Sequence, residues 1–264
     1  MKAISTYVIG DIHGCYDDFQ RMLEKIAYFA SDRLIRVGDY IDRGTQSMEM
    51  LRWLEQCPEN TTPLRGNHDE EFACYVDLMR HVNAECGLET EPDSHEDAGA
   101  LYDTTKYIFR KRGLQASLFF DRYGTLGRLL SDPSVTFKTL TVWAEMIWNM
   151  PYFIEFSAAG KPCVAVHAGF RRDLEGADAE EFYLYAREDA YAKGGITHGM
   201  VIAGHTPTTV EGEFTYNNGH VFRYYDAQKD CVFYDVDCGC VFRTKRPNAQ
   251  LACIRAEDET VFYI

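Results

Sequence analysis

Three times near the start of the chain, a short apolar run ends at a glycine and gives way to helical spacing. Tyr7-Val8-Ile9 stops at Gly10, and Phe19, Met22, Leu23 and Ile26 then recur three and four residues apart. Leu34-Ile35-Arg36-Val37 stops at Gly38, ahead of Met48, Leu51 and Leu54. Thr61 to Arg65 stops at Gly66, and a helix-like stretch follows over 70–81. Strand, loop and helix repeated in this way predict a parallel sheet, because two parallel neighbours need a crossover of helical length between them. The chain therefore reads as an α/β protein.

The remainder divides into a helical part and a β-rich part. From Phe72 to Met150 the pattern is mostly helical, interrupted by the acidic stretch Glu89 to Glu96, which reads as a mobile loop. From Pro151 onward strand patterns return over 152–156, 162–166, 200–203, 221–225, 231–235, 250–255 and 260–264. Their short connections predict that many of them pair antiparallel. No Gly/Ser linker divides the chain, so the expectation is one domain over 1–264 carrying a helical insert at about 70–150.

Composition removes several classes of function. With 264 residues, 46% of them apolar, a core can form without disulfide support. No apolar run approaches the length of a membrane span, and the N-terminus shows no charged leader with an apolar stretch and cleavage site, so a cytoplasmic protein is expected. The net charge of −14, with no cluster of Lys and Arg, argues against a nucleic-acid partner. The nine cysteines read as reduced thiols. Cys238-Gly239-Cys240 is the only close pair, read as buried thiols on a strand in preference to a soft-metal site.

Five polar clusters carry the chemistry. They are Gly10-Asp11-Ile12-His13-Gly14, Gly38-Asp39-Tyr40-Ile41-Asp42-Arg43-Gly44, Gly66-Asn67-His68-Asp69-Glu70, His167-Ala168-Gly169 and Gly204-His205-Thr206. The first three follow predicted strands, and 28 residues separate Asp11 from Asp39 and again Asp39 from Asn67. Open α/β sheets gather ligands at the carboxyl ends of their strands, so these side chains should meet on one rim. Carboxylate, imidazole and amide oxygen suit Mn, Fe, Zn or Co better than a thiolate-seeking ion. Two such ions about 3.5–4 Å apart can clamp a phosphoryl group and acidify water between them.

These clusters resemble the calcineurin-like metallophosphoesterases, and within them the phosphoprotein phosphatase branch. The likeness runs from Asp11 to Asp237-Cys238-Gly239-Cys240-Val241, and Asp42-Arg43-Gly44 with Gly66-Asn67-His68 is its most specific part. It implies a four-layer αββα sandwich and two divalent metal ions, manganese first, with Fe, Zn, Co or Ni as alternatives. Asp11 and His13 would bind the first ion and Asp39 both. Asn67, His167 and His205 would complete the second, with Asn67 also near the substrate phosphate. Asp42 would orient His68, which protonates the leaving oxygen. Arg43 would fork onto phosphate oxygens. A second phosphate-binding arginine is expected at Arg187, with Arg171 and Arg172 competing and a surface ion pair to Glu188 or Asp189 as the plain alternative.

The resemblance implies a dinuclear phosphomonoesterase, first of all a protein serine/threonine phosphatase acting on phosphorylated protein or a small phosphoester. A symmetrical dinucleoside polyphosphate hydrolase is the alternative. That neighbouring branch shares Gly-Asp-Ile-His-Gly and Val166-His167-Ala168-Gly169 but typically lacks the aspartate found here at Asp42. A binding module that kept the fold without catalysis is disfavoured, because every expected ligand type is present. Two departures from the pattern stand out: Asp69 where eukaryotic members show Glu, and Pro207 where nuclease branches carry a further His. The 98 residues between His68 and His167 exceed what a minimal core needs, so part of them, around 85–135, is expected to cover the metal rim and narrow substrate choice.

Overall fold

A computed structural model describes residues 4–86, 94–111, 120–209 and 214–264. The first three strands, β1 (Thr6–Ile9), β2 (Arg33–Arg36) and β3 (Thr61–Pro63), pair in parallel. They alternate with helices α1 (Tyr16–Lys25), α2 (Ser47–Glu55) and α3 (Asn67–Glu85), as the glycine-terminated runs predict. The predicted helix over 70–81 is longer at both ends because Asn67, a metal-ligand candidate, already lies in its first turn.

The helical stretch that follows contains α4 (His95–Lys111), α5 (Thr125–Leu129) and α6 (Phe137–Trp148). The acidic interruption at 89–96 falls mostly outside the described residues, which resume at Ser94. There the Ser94 hydroxyl accepts the main-chain N–H of Asp97 at 3.0 Å and donates to its carboxylate, capping α4. Trp143 of α6 is fully buried, as its helical spacing with Leu140, Ala144 and Ile147 predicts.

The second half adds β4 (Phe153–Ala158), β5 (Lys161–Val166), α7 (Gly176–Tyr185), α8 (Glu188–Ala192), β6 (Gly199–Ala203), β7 (Phe222–Asp226), β8 (Cys231–Asp235), β9 (Ala252–Arg255) and β10 (Thr260–Tyr263). Two five-stranded sheets result, ordered β10-β9-β1-β2-β3 and β4-β5-β6-β8-β7. The chain returns to the first sheet at its end, where β9 lies antiparallel to β1. Many of these strands pair antiparallel as expected, β4 with β5, β7 with β8 and β9 with β10, but at the centre of the second sheet β5, β6 and β8 are parallel. The physical reason is that α7 and α8 provide a full crossover between β5 and β6, and β7 turns back as a hairpin beside β8.

Side-chain alternation along the strands builds four layers. Tyr7 and Ile9 of β1 face a core shared with Phe19, Leu51, Phe72 and Trp143 from the helices, while Val8 faces the other sheet. Cys163 and Ala165 of β5 with Met200 and Ile202 of β6 meet Val8, Ile35 and Ile254 between the sheets. Their neighbours Val164, Val166, Val201 and Ala203 point outward to Phe170 and Ala190. Period-two alternation with both faces buried places helices, sheet, sheet and helices in sequence, the expected αββα sandwich. All nine cysteines are free.

Cys238 and Cys240 do not share a strand. β8 ends at Asp235, Gly239 turns left-handed, and Cys240–Phe242 forms a single 3-10 turn. The turn brings the Cys240 thiol beneath the first polar loop, where it donates to the main-chain oxygens of Asp11 and Ile12 at 3.4 Å each. Among the described residues no helix is long and apolar enough to cross a membrane.

Candidate metal centre

Five parallel strands deliver their loops to one rim. Asp11 and His13 follow β1, Asp39 to Arg43 follow β2, and Asn67 and His68 open α3 after β3. His167 follows β5 and His205 follows β6 in the second sheet. The backbone here is strained. His13, Asp39, Asp42, Arg43 and His205 all have φ between 46° and 73°, a left-handed region that non-glycine residues avoid. Such strain costs about 1–3 kcal/mol per residue and persists only where the surroundings over-determine it, as at functional sites. Two glycines give the carboxylates room. A Cβ on Gly204 would collide with Asp11, and one on Gly66 would collide with Asp39.

Asp39 lies at the centre. One of its carboxylate oxygens stands 3.4 Å from His13 Nε2 and 4.0 Å from His68 Nε2, and the other stands 3.6 Å from His167 Nε2. Asn67 Oδ1 lies 3.0 Å from both His167 Nε2 and His205 Nδ1. Two sets of donor atoms therefore share Asp39. They are His13, Asp39 and His68, and Asp39, His167 and His205, with the ligand atoms of each set within 4.8 Å of one another. Asp11 stands outside both sets. Its carboxylate accepts the main-chain N–H of His205 at 3.2 Å to each oxygen.

The ring orientations are fixed from behind. Nδ1 of His13 donates to the Ile41 carbonyl at 2.8 Å, and Nδ1 of His167 donates to the Val37 carbonyl at 2.9 Å. Each bond puts the proton on Nδ1 and turns the Nε2 lone pair toward Asp39, which is how metal-binding histidines are prepared. Asp42 Oδ2 accepts Nδ1 of His68 at 2.7 Å, the expected pairing. Arg43 donates to His13 Nε2, so its guanidinium reaches the first set of donors.

The electrostatics fit divalent cations. Burial, followed by the charges of Asp237, Asp39 and Asp235, pushes the Asp11 carboxyl well above its ordinary range. Burial and then Asp237 raise Asp235 as well. Asp237 is lifted to about 6, chiefly by burial, and its buried Oδ2 has no hydrogen-bond donor within reach. Burial lowers the imidazoles of His13, His167 and His205, which keeps their ring nitrogens available as ligands. For His68 burial acts downward, but Asp39 and the bond to Asp42 prevail and raise it. Crowded carboxylates, one with an orphaned oxygen, beside the neutral imidazoles of His13, His167 and His205 form a donor set suited to divalent cations.

The arginine alternatives separate. Arg171 pairs with Asp173 and Arg172 with Glu155, both on exposed ground. Arg187 instead reaches toward the Thr206 hydroxyl at 3.5 Å, next to His205, while Asp189 is taken by Lys193. Sequence reasoning missed several residues of the rim. Asp235 shows in the sequence only as the end of a strand, and Asp237 only as the far end of the family resemblance, with no role for either. Arg65 braces the third cluster, donating to Glu70 and Tyr152 at 3.1 Å each and to the carbonyls of Trp148 and Met150. Tyr123 and Thr125 of the insert also arrive here. The Tyr123 ring centroid lies 5.0 Å from that of His68, and the Thr125 hydroxyl lies 2.5 Å from Asp42 Oδ1. Part of the insert therefore reaches the rim, at Tyr123 and Thr125, through a segment with no metal-ligand pattern of its own.

Comparison with known proteins places this geometry. A family model for the calcineurin-like phosphoesterases matches residues 4–209. A symmetrical bis(5'-nucleosyl)-tetraphosphatase of Buchnera aphidicola subsp. Baizongia pistaciae is 46% identical over 100 residues, covering 38% of this chain and 36% of that protein. Its counterpart in Baumannia cicadellinicola subsp. Homalodisca coagulata is 40% identical over 97 residues, covering 35% and 34%. The chain thus matches about a third of the length of these curated relatives. Among solved structures, a candidate diadenosine tetraphosphatase superposes with a TM-score of 0.56 at 16% identity, covering all of this chain and 94% of that one. A protein serine/threonine phosphatase from Saccharomyces cerevisiae superposes with a TM-score of 0.51 at 13% identity, covering 99% and 79%. At these identities the structural likeness is one of fold.

Proposed function

Because this chain belongs to the calcineurin-like phosphoesterase family, we propose that its rim binds two divalent cations and hydrolyses dinucleoside tetraphosphates. Asp11 and His13 would hold the first cation, Asp39 both, and Asn67, His167 and His205 the second. Asp235 and Asp237 add negative charge behind them. Cations bound there supply Lewis acidity at the phosphoryl oxygens and lower the pKa of water. Arg43 and Arg187 would bind phosphate oxygens from the two ends of the centre, one beside His13 and the other beside His205. Asp42 holds the Nδ1–H of His68, so that Nε2 presents its proton to the leaving oxygen.

The observation that carries the dinucleotide reading is the 40% and 46% identity, over 97 and 100 residues, to symmetrical bis(5'-nucleosyl)-tetraphosphatases. A cavity opens beside each of the two arginines. One of about 810 Å³ opens beside Arg43 between Gly14, Gln46 and Arg243, and one of about 550 Å³ opens beside Arg187 and Tyr185. The reading thus moves from protein phosphatase, first expected, to the dinucleotide hydrolase kept as its alternative. One feature favours a phosphate ester. The Asp42–His68 pair is of most use to an alkoxide leaving group, whereas a nucleoside diphosphate leaves readily without a proton.

The test is a side-by-side assay of diadenosine tetraphosphate and a phosphoserine peptide with manganese present. The dinucleotide is expected to give a kcat/KM at least about 100-fold higher, with ADP as the sole nucleotide product. A preference for the peptide of similar size would return the reading to phosphomonoesters.

A further inference from the structure

We infer that Thr125, carried by the helical insert, is a positioning residue for the Asp42–His68 pair, so that the insert tunes how well His68 protonates the leaving oxygen. The inference rests on the acid role given to His68 under the proposed function, and it is read on substrates whose leaving oxygen needs a proton.

The contact is buried and directional. Thr125 is 2% exposed and Asp42 6%, and 83 residues of chain separate them. Thr125 Oγ1 lies 2.5 Å from Asp42 Oδ1. Nη2 of Arg128 donates into the same Oγ1 at 3.1 Å. A hydroxyl has one hydrogen, and neither a guanidinium nor a carboxylate at neutral pH can take both roles, so the Thr125 hydrogen must go to Asp42. The order of donation is Arg128 to Thr125 to Asp42, with His68 Nδ1 donating to the other oxygen of Asp42 at 2.7 Å. Both carboxylate oxygens are thereby engaged, and the plane of Asp42 is set by a partner on each side. The imidazole it holds is aimed in turn, with Nε2 left facing Asp39.

The insert is itself anchored, so the Thr125 hydroxyl is delivered to a fixed place. Asp121 accepts the main-chain N–H groups of Leu126 and Gly127 at 2.9 and 3.0 Å, and the Tyr102 hydroxyl of α4 at 2.7 Å. Gly124 turns left-handed, with φ of 68°, immediately before Thr125. Tyr123, in the same turn, has its ring centroid 5.0 Å from that of His68 and 5.4 Å from the Arg43 guanidinium carbon. A buried threonine that merely satisfied its own helix end would have no reason to face the pair from a separate element.

The experiment uses the full chain loaded with manganese and two aryl phosphates. Phenyl phosphate has a poor leaving group that needs the proton, and 2,4-dinitrophenyl phosphate has a good one that does not. Thr125→Val keeps the shape and removes the hydroxyl. It should lower kcat on phenyl phosphate about tenfold, the worth of a hydrogen bond to a charged group, and on dinitrophenyl phosphate less than about twofold. Thr125→Ser should restore the phenyl phosphate rate. Thr125→Cys, with a weaker donor of similar size, should fall between and replaces the Val variant if that one does not fold. Equal losses on both substrates, or a Ser variant as slow as the Val variant, would overturn the inference. His68→Asn is the control. If it too loses equally on both substrates, the acid role of His68 fails. If it is selective and Thr125→Val is not, only the role of Thr125 fails.

Discussion

The Asp69 carboxylate accepts the main-chain N–H of Asp39 at 2.7 Å and so fixes the residue to which both sets of donor atoms belong. It also accepts the N–H of Tyr40 and of Gly66 at 3.0 Å each. One side chain in the first turn of α3 thus caps its own helix and holds the loop after β2. Asp69 lies next to the candidate centre without facing it, and Glu70, the neighbour that could have served instead, is bound to Arg65. In Asp69→Asn an amide N–H₂ would confront main-chain donors. Manganese affinity should fall about 10–100-fold, the usual cost of removing a group that orients a ligand, with a stability loss of about 1–3 kcal/mol. Titration of metal-free protein with manganese, followed by calorimetry, checks both, and unchanged affinity would refute the bracing role.

His68→Asn removes the proton and keeps a polar side chain. The rate on phenyl phosphate should drop by about 10²–10⁴, with manganese content unchanged. Elemental analysis alongside the rate measurement separates loss of an acid from loss of a ligand. A variant that lost manganese would place His68 among the ligands, a role its 4.0 Å approach to Asp39 makes worth measuring.

Two opposed sets of buried groups govern how the stability of the metal-free chain depends on pH. Buried His13, His167 and His205 are held below their ordinary value, so their contribution is present above it and is lost as pH falls and the unfolded chain takes up protons. Asp237, raised to about 6, and Asp69, raised to about 7, act in the opposite sense. Their contribution is complete below the ordinary carboxylate value and is lost as pH rises through those values, as the folded state releases its protons. Asp11 and Asp235, raised well above, extend that loss further. Unfolding scans with a chelator at about pH 7 and 8 should show the sample at pH 8 as the less stable, because the imidazoles are by then neutral in both states and only the carboxyls still lose protons. Manganese should raise Tm most at about pH 8, where its charge offsets the ionised carboxylates. A Tm that climbs steadily to about pH 8 without metal would contradict this account.

Arg65→Ala should be among the more damaging single substitutions outside the metal centre. The guanidinium is 7% exposed and joins Glu70 of α3 to the end of α6 and to Tyr152. Its removal takes this donor from the Trp148 and Met150 carbonyls and leaves Glu70 facing the Tyr152 hydroxyl at 3.4 Å. The expected cost is about 3 kcal/mol, roughly a 10 °C fall in Tm. Arg65→Lys should rescue little of this, because a single ammonium cannot replace a planar fork that serves four acceptors. A Lys variant of near-normal stability would show that charge alone matters there.

Local sequence was a good guide wherever a residue's role followed from its neighbours. Glycine-ended runs before Asp11, Asp39 and Asn67 marked strand ends, and a parallel sheet puts such ends on one rim, so the convergence of these clusters was legible. The helix face of Trp143 was legible for the same reason, since its periodicity is set within four turns. Where a role depended on what packs against what, sequence was silent. Thr125 has no pattern that points to Asp42, and Asp235 looks like the tail of a strand. Arg65 looks like an ordinary strand residue. The parallel run of β5, β6 and β8 depends on whether α7 and α8 lie across a sheet face, which short spacings did not reveal.

The amino-acid order by itself determined that this protein is an α/β chain whose turns carry carboxylates, imidazoles and an amide suited to hard cations. Backbone period and turn chemistry act over a few residues, and that information is fully present in the chain. Only the tertiary structure decided that Asp39 is shared between two donor sets, that Asp11 lies against the His205 backbone, and that the insert delivers Thr125 to Asp42. The last two of these contacts join residues 83 and 194 positions apart. They exist because two sheets pack face to face and fix their rims together, a condition that no local spacing encodes.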